Sequence, residues 1–267
     1  MKNKNTLFVI GNSLAVIFTI IVNSLAVILP INGMSTRELS DAIKNLFVPD
    51  GLTFSIWSII YVLLILFMLY QINEVFIKKK NLEFLERIGF YFMLASLANI
   101  VWIFLWHYQQ VNLSLLAMII LFVCLLMIYQ RLKIGKTKTS FKEKMFIHIP
   151  ISVYIGWITV ATIANVTAFL VVNKVDGLLL GELIWTILVI FVATFITVLI
   201  IKNRSDIAYS LVIIWALLGI IIKRFKVNQS LEIAYISGVC IIIIAVTILI
   251  MFFYTQRQKS KILKTTQ

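Results

Sequence analysis

The chain has 267 residues, of which 61% are hydrophobic and only 13% charged, where a soluble domain carries about 45–50% apolar and about 25% charged residues. That leaves too little polar surface for a water-soluble globule, and it excludes a disordered, collagen-like or disulfide-stapled secreted chain. Lys and Arg outnumber Asp and Glu by 24 to 11, a net charge of +13, but the basic residues fall between apolar runs, where they orient a membrane protein rather than bind nucleic acid.

About 20 apolar residues in a helix cross the roughly 30 Å hydrocarbon core of a bilayer. Eight stretches qualify in chain order: Leu7–Leu29, Thr53–Ile72, Ile88–Tyr108, Leu113–Tyr129, Met145–Val172, Leu183–Ile201, Ile207–Ile222 and Ile233–Tyr254. The runs are continuous and lack the period-two alternation of a membrane barrel. The fold class is therefore all-α, a polytopic membrane helix bundle of about eight transmembrane helices. The first stretch follows Lys2 and Lys4 but exceeds the apolar core of a signal peptide, about 7–15 residues, so it is expected to stay as a span.

Basic residues set the expected orientation. With the N-terminus in the cytoplasm, 18 Lys and Arg fall in inside segments and 6 in outside loops. Both termini are then cytoplasmic, in a multi-pass protein of the cell inner (cytoplasmic) membrane. Lys223, Arg224 and Lys226 run against this bias. The first outside loop runs from Pro30 to Gly51. Ser35-Thr36-Arg37-Glu38 has capping-box spacing, and Leu39, Ile43 and Leu46 follow at helical intervals. A short amphipathic helix is expected there, either a plain connector or a lid over the mouth of the bundle.

The chain divides into two unequal parts. Residues 1–173 hold five aromatic, polar-punctuated spans. Residues 174–267 hold three further spans, richer in Ile, Val and Leu, and a basic tail. The boundary is expected near Asn173–Gly181, and without a Gly/Ser linker the two parts should form one packed bundle.

Chemistry is concentrated in the first part. Phe54, Trp57 and Tyr61 are spaced i, i+3, i+7 on the second span and share one face. Asn99, Trp102 and Trp106 repeat the spacing on the third. On the fifth, Trp157, Ala161, Ala164 and Asn165 share a broader face. Small residues let helices approach, and an Asn amide exposed to lipid would lack partners, so these faces should turn inward. Three such faces can build an aromatic-walled pocket for a flat ligand with polar edges; equally, Trp and Asn can simply pack the bundle. Trp215, in the other part, is the natural comparison residue.

The two histidines, His107 and His148, lie at opposite ends of their spans and so on opposite membrane sides, and a shared metal is not expected; His107 reads first as an interfacial histidine, the alternative being contact with a ligand or haem iron near the mouth. Cys124 and Cys240 sit in apolar runs without a redox or metal motif. There is no P-loop, dinucleotide turn, H-E-x-x-H or nucleophile elbow, so no catalytic residue and no metal ligand is assigned. Carboxylates sit at span ends, as with Glu74, Glu182 and Asp206, which argues against an ion-coupled pump.

Three motifs in order resemble the TspO/translocator-protein family, the tryptophan-rich sensory proteins. Trp157-Ile158-Thr159-Val160-Ala161-Thr162-Ile163-Ala164-Asn165 is similar to its fifth-helix W-x-x-x-A-T-x-x-N pattern, Asn99 to Trp102 to its third-helix N-x-x-W, and Pro49 with Phe54, Trp57 and Tyr61 to the approach to its second helix. The resemblance covers about residues 1–173, the last three spans being a C-terminal extension. It implies a five-helix core whose cavity opens under the first loop, lined or supported by Trp57, Tyr61, Asn99, Trp102, Trp157, Ala161 and Asn165; Phe54 and Trp106 join them by face. It also implies a porphyrin or haem as ligand, no required cofactor, and a homodimer among the partners, besides the bilayer and a small amphipathic ligand. No tyrosine lies between Val166 and Lys174, so sterol binding is not expected. The expected function is a sensory or ligand-binding membrane protein, the alternatives being a transporter of such a molecule or a tetrapyrrole-degrading enzyme.

Overall fold

The computed structural model describes residues 2–29, 31–80, 82–175 and 181–265. The main helices are α1 (Lys2–Ile28), α2 (Thr36–Ala42), α3 (Ile56–Ile72), α4 (Glu83–Ile88), α5 (Tyr91–His107), α6 (Val111–Arg131), α7 (Ile149–Val172), α8 (Gly181–Arg204), α9 (Ile207–Val227) and α10 (Leu231–Thr265). A 3₁₀ turn, Gly51–Ser55, leads into α3, and a wide π turn, Lys144–His148, leads into α7. No strand occurs among the described residues.

Each of the eight expected stretches coincides with one long helix. Seven helices among the described residues are long and apolar enough to cross a bilayer by length and composition. The eighth, α5, has 17 residues, which at 1.5 Å per residue is about 26 Å and lies at the short end of the range for a span. Apolar side chains such as Phe195, Ile242 and Phe253 are well exposed on the rim of the bundle. In water such a surface would aggregate; against lipid tails it is the expected boundary.

The five aromatic spans form a closed circuit. α3, α1, α5, α6 and α7 pack in that order, and α7 returns to α3. α9 docks on this ring through α7, and α8 and α10 pack on α9 and on each other. Gly156 permits the α7–α9 approach, since a Cβ there would lie 3.1 Å from Val212 Cβ and 3.2 Å from the Tyr209 carbonyl oxygen. The expected boundary at 173–181 falls largely outside the described residues.

Buried polar groups join the helices. Asn12 Nδ2 donates to Gln71 Oε1 at 2.9 Å, tying α1 to α3, and Asn23 Nδ2 donates to Asn99 Oδ1 at 2.7 Å, tying α1 to α5. Away from the first loop, one carboxylate gathers three helices. Asp206, the N-cap of α9, accepts from Tyr129 Oη of α6 at 2.8 Å, Ser152 Oγ of α7 at 2.6 Å and its own Tyr209 N–H at 3.1 Å. Its charge is buried but well supplied with donors, as such a group must be.

Two sequence expectations need correction. α2 begins with the expected capping box: Ser35 Oγ accepts from Glu38 N–H, and Glu38 Oε2 accepts from Ser35 N–H at 2.7 Å. It ends at Ala42, so Ile43 and Leu46 do not continue it. Asn45 is the reason. Its Oδ1 accepts from the N–H groups of Phe47 and Val48, both at 3.1 Å, and its Nδ2 donates to Ile43 O at 2.9 Å, giving the backbone a local alternative to helix. α9 runs to Val227, past the expected Ile222, so Lys223, Arg224 and Lys226 are on its last turns rather than in a loop. Cations suit a helix C-terminus, and two of these three have carboxylate partners, described below.

Candidate functional site

The aromatic faces of α3, α5 and α7 turn into the ring and wall a narrow cavity of about 50 Å³, roofed by α2 and the loop that follows it. Of the residues singled out from the sequence, Phe54, Trp57, Trp102, Trp106, Trp157, Ala161, Ala164 and Asn165 line it. Tyr61 and Asn99 do not reach it. Tyr61 stacks on Trp57, with centroids 5.7 Å apart and planes at 22°, and Asn99 is buried behind the wall against Asn23.

The indoles are set edge to face around Trp157. Phe54 lies 6.0 Å from it at 77° and Trp57 6.3 Å at 81°, while Trp102 and Trp106 stack at 6.0 Å and 22°. Such pairs add about 0.5–1.5 kcal/mol each beyond area burial, so the wall is stiff. Asn165 fixes one indole: its Oδ1 accepts from Trp102 Nε1 at 3.0 Å, while its Nδ2 donates to Ala161 O at 2.8 Å. Trp157 differs. Its ring is buried, and its Nε1–H has no hydrogen-bond partner among the described residues. A buried donor left unpaired beside a cavity is a place where an acceptor would be stabilised.

Sequence reasoning missed part of the lining. Val160 and Ala168 share the Trp157 face of α7, and continuing that face at helical intervals would have found them. Thr36, Ser40, Ile43, Asn45, Val48 and Pro49 come from the roof. The amphipathic spacing in this loop allows a lid over the mouth as one of its two readings, but it does not mark which loop residues reach the rings.

The roof is tied at both ends. At its start, both ring nitrogens of buried His107 are engaged: Nδ1 lies 3.0 Å from Ile31 O and Nε2 2.9 Å from Thr36 Oγ1. A carbonyl only accepts, so Nδ1 carries the proton and Nε2 accepts from the threonine hydroxyl in the neutral ring. His107 is therefore a fastening for the roof, and neither ring nitrogen is left free for haem iron, the alternative role weighed from the sequence. Asn32 Nδ2 adds a bond to His107 O at 3.1 Å.

At its far end the roof is held by α9. Asp50 N–H donates to Gly219 O at 2.9 Å, Trp215 Nε1 donates to Thr53 O at 3.0 Å, Lys226 Nζ donates to Asp50 Oδ2 at 2.8 Å, and Lys223 Nζ donates to Asp41 Oδ1 at 2.8 Å. Trp215 is thus part of the roof's attachment and is no inert comparison. The Lys226 ammonium, more than burial, sets the state of Asp50 and holds its carboxyl below the usual carboxylate range, with the Leu52 N–H helping. Glu38, at the exposed start of α2, is likewise lowered by its hydrogen bonds from Ser35.

The cavity lining contains no His, Cys, Asp, Glu, Lys or Arg. Its polar groups are amides, hydroxyls and indole N–H groups, suited to holding a ligand by stacking and hydrogen bonds. No cluster of three metal-ligating side chains occurs among the described residues.

No curated protein and no solved structure shows a significant match to the chain. A family model does: that of the TSPO-like proteins matches residues 8–251, from the first long helix into the last, and so takes in the three helices beyond the five-helix ring as well as the ring itself. The chain belongs to the TSPO-like family, as a multi-pass membrane helix bundle.

Proposed function

We propose that the protein is a membrane sensor that binds a flat, amphipathic small molecule of the porphyrin class in the cavity beneath α2, with both termini on the cytoplasmic side of the inner membrane. The observation that carries the reading is the unpaired Trp157 indole N–H, buried among aromatic rings in a cavity without charged groups. Stacking supplies affinity for a flat ring, and the indole supplies a directional donor. At about 50 Å³ the cavity admits a few waters and not a macrocycle. Binding therefore requires α2 and its loop to lift, which breaks polar fastenings of modest strength and also draws Leu39 and Phe47 out of the apolar core.

The test is saturable quenching of tryptophan fluorescence by protoporphyrin IX in the purified protein. Trp157→Ala should weaken binding about tenfold or more, the effect of losing one stacked ring and one donor. Phe195→Ala, on the lipid-facing side of α8, should leave it unchanged. Linear quenching without saturation in all three proteins would refute the reading, since it reports partitioning into the micelle. Flux into proteoliposomes distinguishes a transporter from a sensor that only binds.

A further inference from the structure

A second hollow lies beside the aromatic cavity. It has a volume of about 280 Å³ and sits between the end of α2, the start of α8 at Glu182 and the last turns of α9. Its character is the opposite of the first, with Asp41, Lys44, Glu182, Lys223 and Arg224 among its lining. Arg224 is the unusual member. It is only 4% exposed, its Nε has no hydrogen-bond partner, and its guanidinium forms no ion pair among the described residues.

The neighbouring carboxylates do not account for it. Asp41 is taken by Lys223 at 2.8 Å and Arg37 at 3.8 Å, and Glu182, which lines the same hollow, acts on Arg224 through space without forming an ion pair with it. A barely exposed guanidinium whose Nε–H is unpaired is poorly compensated, and the arrangement becomes more favourable when an anionic group occupies the adjoining space. The planar fork of arginine matches a carboxylate through two parallel hydrogen bonds. The lining carries three cations and two carboxylates, one of them already paired, so the hollow favours an anion as a whole.

The two hollows share one partition. Ser40, Ile43, Asn45 and Val48 line both, so the loop segment that roofs the aromatic cavity also walls the charged one. Lifting that segment joins them. We infer that the charged hollow is an anion site in which Arg224 binds a carboxylate of the molecule whose ring enters the aromatic cavity. The inference rests on the ligand-binding reading above and adds an acidic substituent to the ligand's description.

The experiment uses the full chain in nanodiscs of phosphatidylcholine, with protoporphyrin IX and its dimethyl ester as probes. The ester keeps the ring and lacks both carboxylates. The wild type should bind the diacid roughly tenfold more tightly than the ester, as expected for one charge-assisted pair. Arg224→Gln should remove that preference by weakening the diacid alone, its unchanged ester affinity showing that it is folded. If the preference survives in Arg224→Gln, or the wild type binds both probes equally, the anion site is refuted and the ring site stands. If the wild type binds neither probe saturably, both readings fail. If phosphatidylglycerol in the discs erases the wild-type preference, the occupant is a lipid headgroup phosphate and the carboxylate assignment is overturned.

Discussion

Replacing Gly219 by alanine tests whether α9 holds the roof. Gly219 is buried on α9, and a Cβ there would collide with Thr53 Oγ1 while lying 2.9 Å from Thr53 Cβ and 3.0 Å from Pro49 Cβ. Rotation about χ1 can swing Thr53 Oγ1 aside, but Thr53 Cβ and Pro49 Cβ are fixed to the backbone and cannot turn away. α9 and the loop must separate. Overpacking of this kind costs about 1–3 kcal/mol. Separation also strains the Asp50–Gly219 and Trp215–Thr53 hydrogen bonds, each contributing about 1 kcal/mol. Against this, alanine favours a helix interior over glycine by about 1 kcal/mol. The clash wins, and a net loss of about 2 kcal/mol is expected in a denaturing-detergent titration, with faster amide exchange over residues 36–54. Leu218→Ala, on the exposed side of the same turn, is the matched control. Adding Thr53→Ala to Gly219→Ala should recover part of the loss, because it removes Oγ1 and leaves the two carbon contacts. Unchanged stability and unchanged exchange in Gly219→Ala would refute the claim that this contact fastens the roof.

Two further outcomes follow from the polar contacts. A carboxyl held below its ordinary range stabilises the fold above its unfolded pKa, about 3.9, and that contribution disappears as pH falls through the lower folded value; the stability difference between wild type and Asp50→Asn should therefore be flat from pH 5 to 8 and shrink below about pH 4. Lys226 is 63% exposed, so screening keeps this difference under about 1 kcal/mol, and unfolding midpoints measured against pH will check it. Within the ring, a double-mutant cycle of Asn23→Ala and Asn99→Ala should return a coupling of about 0.6–1.7 kcal/mol, and strict additivity would show that their 2.7 Å hydrogen bond contributes nothing net.

Much of this molecule is legible in its sequence because lipid imposes simple rules. Long apolar runs can only be helices there, and an unpaired amide cannot face the tails, so Asn23, Asn99 and Asn165 point inward and carry their helix faces with them. That logic brings Trp57, Trp102 and Trp157 to one cavity. It does not separate the residues that line the cavity from those that support the wall, such as Tyr61 and Asn99, since helical periodicity gives a face and not a depth. What stays hidden depends on pairs distant in the chain. Nothing near Gly219 announces that its missing Cβ makes room for Thr53, and Trp215 reads as one more apolar residue until Thr53 is found beside it. His107 reads as an interfacial residue at the end of its span, yet the backbone of Ile31 and the hydroxyl of Thr36 take both ring nitrogens. α2 is shorter than its apolar spacing suggests because a single Asn45 side chain outbids the next helical turn.

α9 is pinned at both ends. At one, Asp206 binds it to α6 and α7; from its middle to the other, its indole, glycine carbonyl and lysines grip the loop. The whole 21-residue helix spans about 32 Å, close to the thickness of a bilayer's hydrocarbon, and Lys226 grips the loop near the end opposite Asp206. A guest that raises the loop faces two alternatives. It can tear the grip loose, leaving the rod where it was, or drag the rod's near end and make it pivot on the carboxylate at the far face. In the second case a molecule arriving on one side of the membrane is felt on the other as torque on a single aspartate.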